Sequence, residues 1–294
     1  LLLKFAKILG KENVREGFFG QEINLTTYNL ARINMFLHNI NYNNFSIERG
    51  DTLIHPVHWN DEPFDAIVSN PPYGIHWAGK KNPILINDER FAPAGVLAPE
   101  SKADLAFTMH MLSWLSPKGT AAIVEFPGVL YRGGAEQKIR QYMIDNNFVD
   151  TIIQLPSGLF FGTSIATCII VLKKNKSDNN ILFIDASKEC VPNSNKMKNG
   201  TNTNKLSDEN INNIVGLLKD RKSVENKSYL ATHDEIKDND YNISVNSYLK
   251  INDGNITIDI EEVNKRLAEV VPRQQQIRKE LEEIIKELEV DYHE

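Results

Sequence analysis

Asn70-Pro71-Pro72-Tyr73 carries the strongest chemical signal in the chain. These residues follow Phe64-Asp65-Ala66-Ile67-Val68-Ser69, a short apolar run rich in strand formers. Two consecutive prolines stop a strand, because proline has no N–H for the ladder and pushes the preceding residue towards extended geometry. The strand end therefore carries a polar amide at Asn70, a stiff turn with a free carbonyl at Pro71, and an aromatic ring at Tyr73. An amide oxygen and a carbonyl held side by side suit a donor of two hydrogen bonds, such as an exocyclic NH2. The ring of Tyr73 suits stacking on a flat base. An amino group held between two acceptors is pulled towards sp3 geometry, and its lone pair is freed to attack an electrophile placed in line.

Two acids upstream extend the pattern. Phe18-Phe19-Gly20-Gln21-Glu22 reads as a strand ending in a carboxylate, and Phe45-Ser46-Ile47 leads through Gly50 to Asp51-Thr52. In open α/β sheets ligands sit beyond the carboxyl ends of strands, where a carboxylate can accept both hydroxyls of a ribose. Each acid alone reads more readily as a solvated turn residue than as a ligand-binding one. Three strand ends in order, each with a polar tip, are a stronger signal. No His/Cys/Asp cluster suggests a metal. Cys168 and Cys190 make no ligand pattern, and Cys168 lies in an apolar strand.

The elements that must position these residues alternate. Leu1, Leu2, Phe5, Ile8 and Leu9 have helical spacing, and Asn24 can cap a helix through about Ile40. A Pro/Gly-rich loop runs from Gly74 to about Glu100, long enough to suggest a function. Helices are predicted over Asp104 to Leu115 and Glu136 to Asn146. Strands are predicted over Thr120 to Phe126, Phe148 to Leu155, Ser164 to Leu172 and Ile181 to Asp185. Strands separated by helical segments predict an α/β, Rossmann-like fold with a doubly wound, mostly parallel sheet. Residues 187–206, rich in Asn, Lys and Ser, read as a surface loop, and a small mixed region follows to about Leu249. Residues 259–289 read as a charged helical extension. Val263, Leu267, Val270, Gln274, Ile277, Leu281, Ile284 and Leu288 form an a/d seam there, with Pro272 expected to kink or divide the helix. The expected domains are a catalytic domain over 1–186, a loop-rich extension of it over 187–250, and a helical segment for subunit contact over 255–294.

The 294 residues are 41% hydrophobic and 24% charged, an ordinary globular balance. No apolar run approaches the ~18 residues of a membrane span, and the cysteine usage fits the cytoplasm. The net charge of −6 is the wrong sign for a lone DNA binder, because Lys and Arg supply most non-specific affinity for phosphate.

Asn70-Pro71-Pro72-Tyr73 after an apolar strand resembles the catalytic motif of amino-group DNA methyltransferases. Further stretches are similar to the modification subunits of type I restriction–modification systems. These are Ser101-Lys102-Ala103-Asp104-Leu105-Ala106-Phe107 with His110, Gly128 to Glu136 with Ile139-Arg140, Leu155 to Ile165, and Asp240-Tyr241-Asn242-Ile243-Ser244 with Tyr248. The resemblance runs over most of residues 1–290. It implies transfer of a methyl from S-adenosylmethionine to adenine N6 in DNA. Asn70, Pro71, Pro72 and Tyr73 would be catalytic, and Glu22, Asp51, Thr52 and Asn70 would hold the cofactor. A base flipped from the duplex would stack on Tyr73 and on Phe160, with Phe161 as the alternative. Phe107 would face the cofactor's adenine or serve the core. Trp77, Lys80, Lys81, Arg132 and Arg140 would touch phosphates or be solvated.

The implied partners are DNA, a specificity subunit bound through the C-terminal helices, a second modification subunit and a restriction subunit. The family's N-terminal helical domain and glycine-rich cofactor loop do not occur in this sequence, so the chain is expected to start inside a longer one. Two rival readings are methylation of RNA or of a protein glutamine, and a scaffold without activity. The presence of Asn70, Tyr73, Glu22 and Asp51 together favours an enzyme.

Overall fold

Helix α1 (Leu2–Leu9) is followed by β1 (Phe18–Glu22), α2 (Leu25–Leu37), β2 (Phe45–Arg49) and β3 (Phe64–Ser69). Then come α3 (Asp104–Trp114), β4 (Leu115–Glu125), α4 (Ala135–Asp145), β5 (Val149–Gln154), β6 (Cys168–Lys173) and β7 (Ile181–Asp185). The remaining elements are β8 (Val191–Pro192), β9 (Asn204–Lys205), α5 (Asp208–Asp220), β10 (Ser228–Ala231), α6 (His233–Asp238) and α7 (Ile260–Val290). This computed structural model describes residues 1–14, 16–60, 62–160, 163–193, 203–249 and 260–290. Two compact units are present, Leu1–Lys250 and Ile251–Glu294.

The first unit is α/β, as expected. Strands β1 and β2 pair in parallel, with Glu22 opposite Arg49. The main sheet has the order β10-β7-β5-β6-β4-β3. Within it β3 and β4 are parallel, as are β5 and β7. Strand β6 runs antiparallel to both β4 and β5, so this half of the sheet is mixed. The cause lies in the connection after β5, which has no helix among its described residues. A parallel return needs a crossover, usually helical, and this link turns the chain straight back.

Three apolar clusters hold these layers. Leu105, Met109, Ile123, Met143, Ile152 and Phe183 belong to the main one. Ala6, Phe18, Met35, Ile40, Phe45 and Ile47 fasten α1 and α2 to the β1–β2 pair. Ile153, Leu155, Leu182, Ile184, Ala186 and Ile214 form the third, which includes a residue of α5. Helix α5 starts with a capping box in which Ser207 and Asn210 satisfy each other's backbone N–H.

The loop from Gly74 to Glu100 is packed rather than open. It forms short 3-10 turns at Gly79–Lys81, Pro83–Asn87 and Ala92–Ala94, and it buries Leu85, Phe91, Leu97 and Ala98. Asp240 and Tyr241 both have left-handed backbones, at φ 52 and 56. That turn presents the Tyr241 carbonyl to Arg140.

In the second unit α7 continues through Pro272, so the expected division of the helix does not occur. Proline removes one N–H from the ladder there, but the helix runs on from Ile260 to Val290. Leu267, Val270, Gln274, Ile277 and Leu281 of the seam are exposed. The side chains of Val263, Ile284 and Leu288 lie outside the described residues.

Candidate active site

Strand β3 delivers Asn70, exposed, at its carboxyl end, and the prolines turn the chain away. The turn is fixed on its far side. Gly74 takes a left-handed backbone, φ +60, and donates its N–H to Asp104 Oδ1 at 2.9 Å. Asp104 opens α3, so the helix start and the turn exit are tied by one carboxylate.

Tyr73 is half-buried, and its O–H donates to Asn70 Oδ1. Burial first, then the neighbouring Glu125, Cys168 and Asp104, push its phenol up to about 12, so it remains a donor. Behind it Glu125 is fully buried, with Oε1 accepting from Thr108 Oγ1 at 3.0 Å. Burial, then the Asp104 charge, push Glu125 up to about 8. A neutral acid there spares the fold an isolated buried charge.

A cleft of about 1100 Å³ opens between β1 and β3. Glu22, Asp51, Thr52, Asn70, Pro71 and Pro72 all line it, and so do Phe107 and His110. Glu22 Oε1 accepts the Asn24 N–H at 2.8 Å, and Asn24 in turn caps α2 through the Thr27 N–H. Asp51 Oδ1 accepts the Leu53 N–H at 2.9 Å. One oxygen of each carboxylate thus fixes its own turn, and the other is left for a ligand. Two carboxylates at the ends of adjacent parallel strands, with apolar wall between, fit a nucleoside.

Not every expected residue joins this cleft. Tyr73 is hydrogen-bonded to Asn70 but does not line it. Phe160 packs on the third apolar cluster, outside the lining, and Phe161 lies outside the described residues. Phe107 lines the cleft and packs on the main core. Trp77 does line the cleft, donates from Nε1 to the Pro99 carbonyl at 3.0 Å and meets the Phe91 ring edgewise. Lys81 pairs with Glu100 at 3.5 Å, and Lys80 is exposed.

Arg140 is a correction. It is 1% exposed and donates to the carbonyls of Tyr241, Val129 and Arg132, so it cannot face DNA. Its Nε and Nη1 hydrogens go to backbone carbonyls of three different segments. Arg132 pairs with Glu136 at 3.3 Å and lies over the Phe126 ring.

Sequence reasoning missed three polar groups next to the site. Asp104 and His110 sit in the stretch quoted for its resemblance, but neither stood out by type or spacing. Arg90, buried and bonded to Asp88, comes from the long loop and had no local signal beyond that loop's length.

An α/β unit in which the ends of a parallel strand pair bring two carboxylates, and the edge strand of the main sheet an Asn-Pro-Pro turn, to one cleft has a Rossmann-like methyltransferase fold. The "N-6 DNA Methylase" model matches residues 1–255. The chain belongs to the N-6 DNA methylase family. It is 47% identical to the type I restriction enzyme MpnII methylase subunit of Mycoplasma pneumoniae, over 99% of this chain and 54% of that protein. It is 30% identical to the type I restriction enzyme MjaVII methylase subunit of Methanocaldococcus jannaschii, over 91% of this chain and 46% of that protein. The crystal structure of a type I restriction-modification system methyltransferase subunit from Streptococcus thermophilus superposes with a TM-score of 0.78. That match has 39% identity and covers 84% of this chain and 52% of the other. The chain thus spans about half the length of the curated relatives it matches.

Proposed function

We propose that this chain is the catalytic part of a type I modification subunit, methylating adenine N6 in DNA with S-adenosylmethionine. The observation that carries this reading is the convergence of Asn70, Pro71, Glu22 and Asp51 on one cleft. S-adenosylmethionine supplies an electrophilic methyl group. Glu22 would accept hydrogen bonds from the hydroxyls of its ribose, and Asp51 with Thr52 would hold its adenine.

Asn70 Oδ1 and the Pro71 carbonyl accept the two N6 hydrogens of the target base. They hold its nitrogen lone pair towards the methyl donor. An alkylated N6 would be acidic enough to give its proton to solvent, so no strong base would be required of the chain. Tyr73 would share Asn70 Oδ1 with the incoming amine and offer its half-buried ring to the base. Phe160, from the segment before β6, would supply the second stacking surface on closure around DNA.

The domain reading follows. Residues 1–186 carry the catalytic fold, 187–250 extend it, and 255–294 contact another subunit. The relatives named as type I methylase subunits support partnership with a specificity subunit that reads the sequence, a second modification subunit and a restriction subunit. Among the described residues no helix is long and apolar enough to cross a membrane, and we place the enzyme in the cytoplasm with its DNA. The test is Asn70→Ala in the full-length chain with its specificity partner, scored by N6-methyladenine in plasmid DNA. Methylation should vanish while the complex still assembles. Full activity in the variant would overturn the mechanism.

A further inference from the structure

The turn Asp51–Leu53 forms one wall of the cleft, and Arg90 and His110 are hydrogen-bonded to it. Arg90 is 2% exposed. Its Nε and Nη2 donate to Asp88 at 2.9 and 2.7 Å. Its Nη2 also donates to the Leu53 carbonyl, and its Nη1 to the Thr52 carbonyl, each at 2.8 Å. The last Nη1 hydrogen points at His110 Nδ1, 3.1 Å away.

A guanidinium has five N–H donors and no acceptor. His110 Nδ1 must therefore be the accepting nitrogen, and the ring hydrogen must sit on Nε2. His110 Nε2 lies 2.7 Å from Thr52 Oγ1, so the imidazole donates and the hydroxyl accepts. Thr52 then cannot give its own hydrogen back to His110. None of the described residues accepts it, and Thr52 lines the cleft. The neighbouring Asp51 has committed Oδ1 to the Leu53 N–H and keeps Oδ2. One donor and one acceptor thus stand on adjacent residues of a clamped turn.

We propose that Arg90 and His110 are positioning residues that commit the Thr52 hydroxyl to donate into the cleft beside the Asp51 carboxylate, making a donor–acceptor pair that reads the amine-bearing edge of the cofactor's adenine. This rests on the cofactor reading above. Adenine places an amino donor next to a ring-nitrogen acceptor, the complement of Asp51 and Thr52. Hypoxanthine, the base of inosine, reverses both polarities and is rejected. Burial, then the charge of Arg90, push His110 down to about 3. The ring therefore stays neutral near physiological pH, and the direction of the relay does not change.

The test is calorimetric titration of the full-length chain with S-adenosylhomocysteine and with S-inosylhomocysteine, a binding readout independent of turnover. The unmodified chain should prefer the adenosyl compound. Thr52→Val should lose about tenfold in affinity for it, the worth of one hydrogen bond, and bind the inosyl compound as before or more tightly. His110→Phe, which keeps the ring packed on Trp114, should lose the same preference. His110→Gln retains a donor towards Thr52 and should restore it. The Thr52→Val/His110→Phe double variant should be no weaker than Thr52→Val.

Unchanged preference in Thr52→Val would overturn the proposal, as would an equal loss for both ligands or additive losses in the double variant. The Thr52→Val arm stands alone if His110→Phe does not fold. If the unmodified chain binds neither compound, the cofactor reading itself fails, a result distinct from binding without discrimination.

Discussion

Glu125 is a carboxylic acid placed where a carboxylate is costly. Its folded value of about 8 lies above the ordinary 4.5, by burial first and then by Asp104. Between those values the folded chain holds a proton that the unfolded chain releases. The stabilisation is complete below the unfolded value and is lost as the pH rises through the folded one. Thermal melts should therefore show stability falling between about pH 5 and pH 8. Glu125→Gln keeps an acceptor for Thr108 and should flatten that fall. An equally steep fall in the variant would assign the titration to another group. The two cleft acids make a second residue-scale prediction. Each holds its own turn with one oxygen and offers the other. Glu22→Ala and Asp51→Ala should each weaken S-adenosylmethionine binding by the full-length chain, measured by calorimetry. Unchanged affinity in both would mean that the cofactor lies elsewhere.

At the scale of elements, the buried Arg140 joins α4 to the turn at Val129, to Arg132 and to the Asp240-Tyr241 segment. This explains structurally why the stretch around Tyr241 accompanies the catalytic fold. Its carbonyl is one of three acceptors that share one guanidinium. Arg140→Met preserves the aliphatic stem and strands all three. The loss should be about 3 kcal/mol or more, since an unmatched buried polar group costs roughly 1–3 kcal/mol. Urea unfolding measures it, and a midpoint within error of the parent would show that water replaces the clamp. The charge alone suggested a phosphate contact at Arg140. Its type and helical position were legible in the sequence, but three carbonyls arriving from other elements were not.

At the scale of the whole molecule, two compact units meet different demands. The catalytic fold has its own core. Helix α7 exposes Leu267, Val270, Ile277 and Leu281 at a/d spacing. An apolar stripe of this kind on a charged helix is suited to pairing with another helix. Deleting residues 259–294 should leave a folded catalytic unit, seen by a cooperative melt, that no longer co-purifies with the specificity subunit. Methylation should fall with it. Normal assembly by the shortened chain would make the helix dispensable for partnership. The net charge of −6 agrees with the proposed division of labour, in which another chain would supply much of the grip on DNA.

Strand ends were readable because their signals are local. Apolar runs predict strands by residue type, prolines stop them by chemistry, and the residue at the stop is known by its position. Glu22, Asp51 and Asn70 therefore emerged from the sequence in their correct places at strand ends, as did most helices and strands. The a/d stripe of α7 was equally local, and so it too was visible. Tertiary structure decided what each polar group meets. It turned Tyr73 onto Asn70, set Phe160 on a separate cluster, buried Arg140 among carbonyls, and reversed β6 through a link with no helix among its described residues. It also brought Arg90 from the long loop to His110 and Thr52, separations of 20 and 38 residues. Hydrogen-bond partners across such distances are chosen by packing of the whole chain, and no residue type or spacing encodes them.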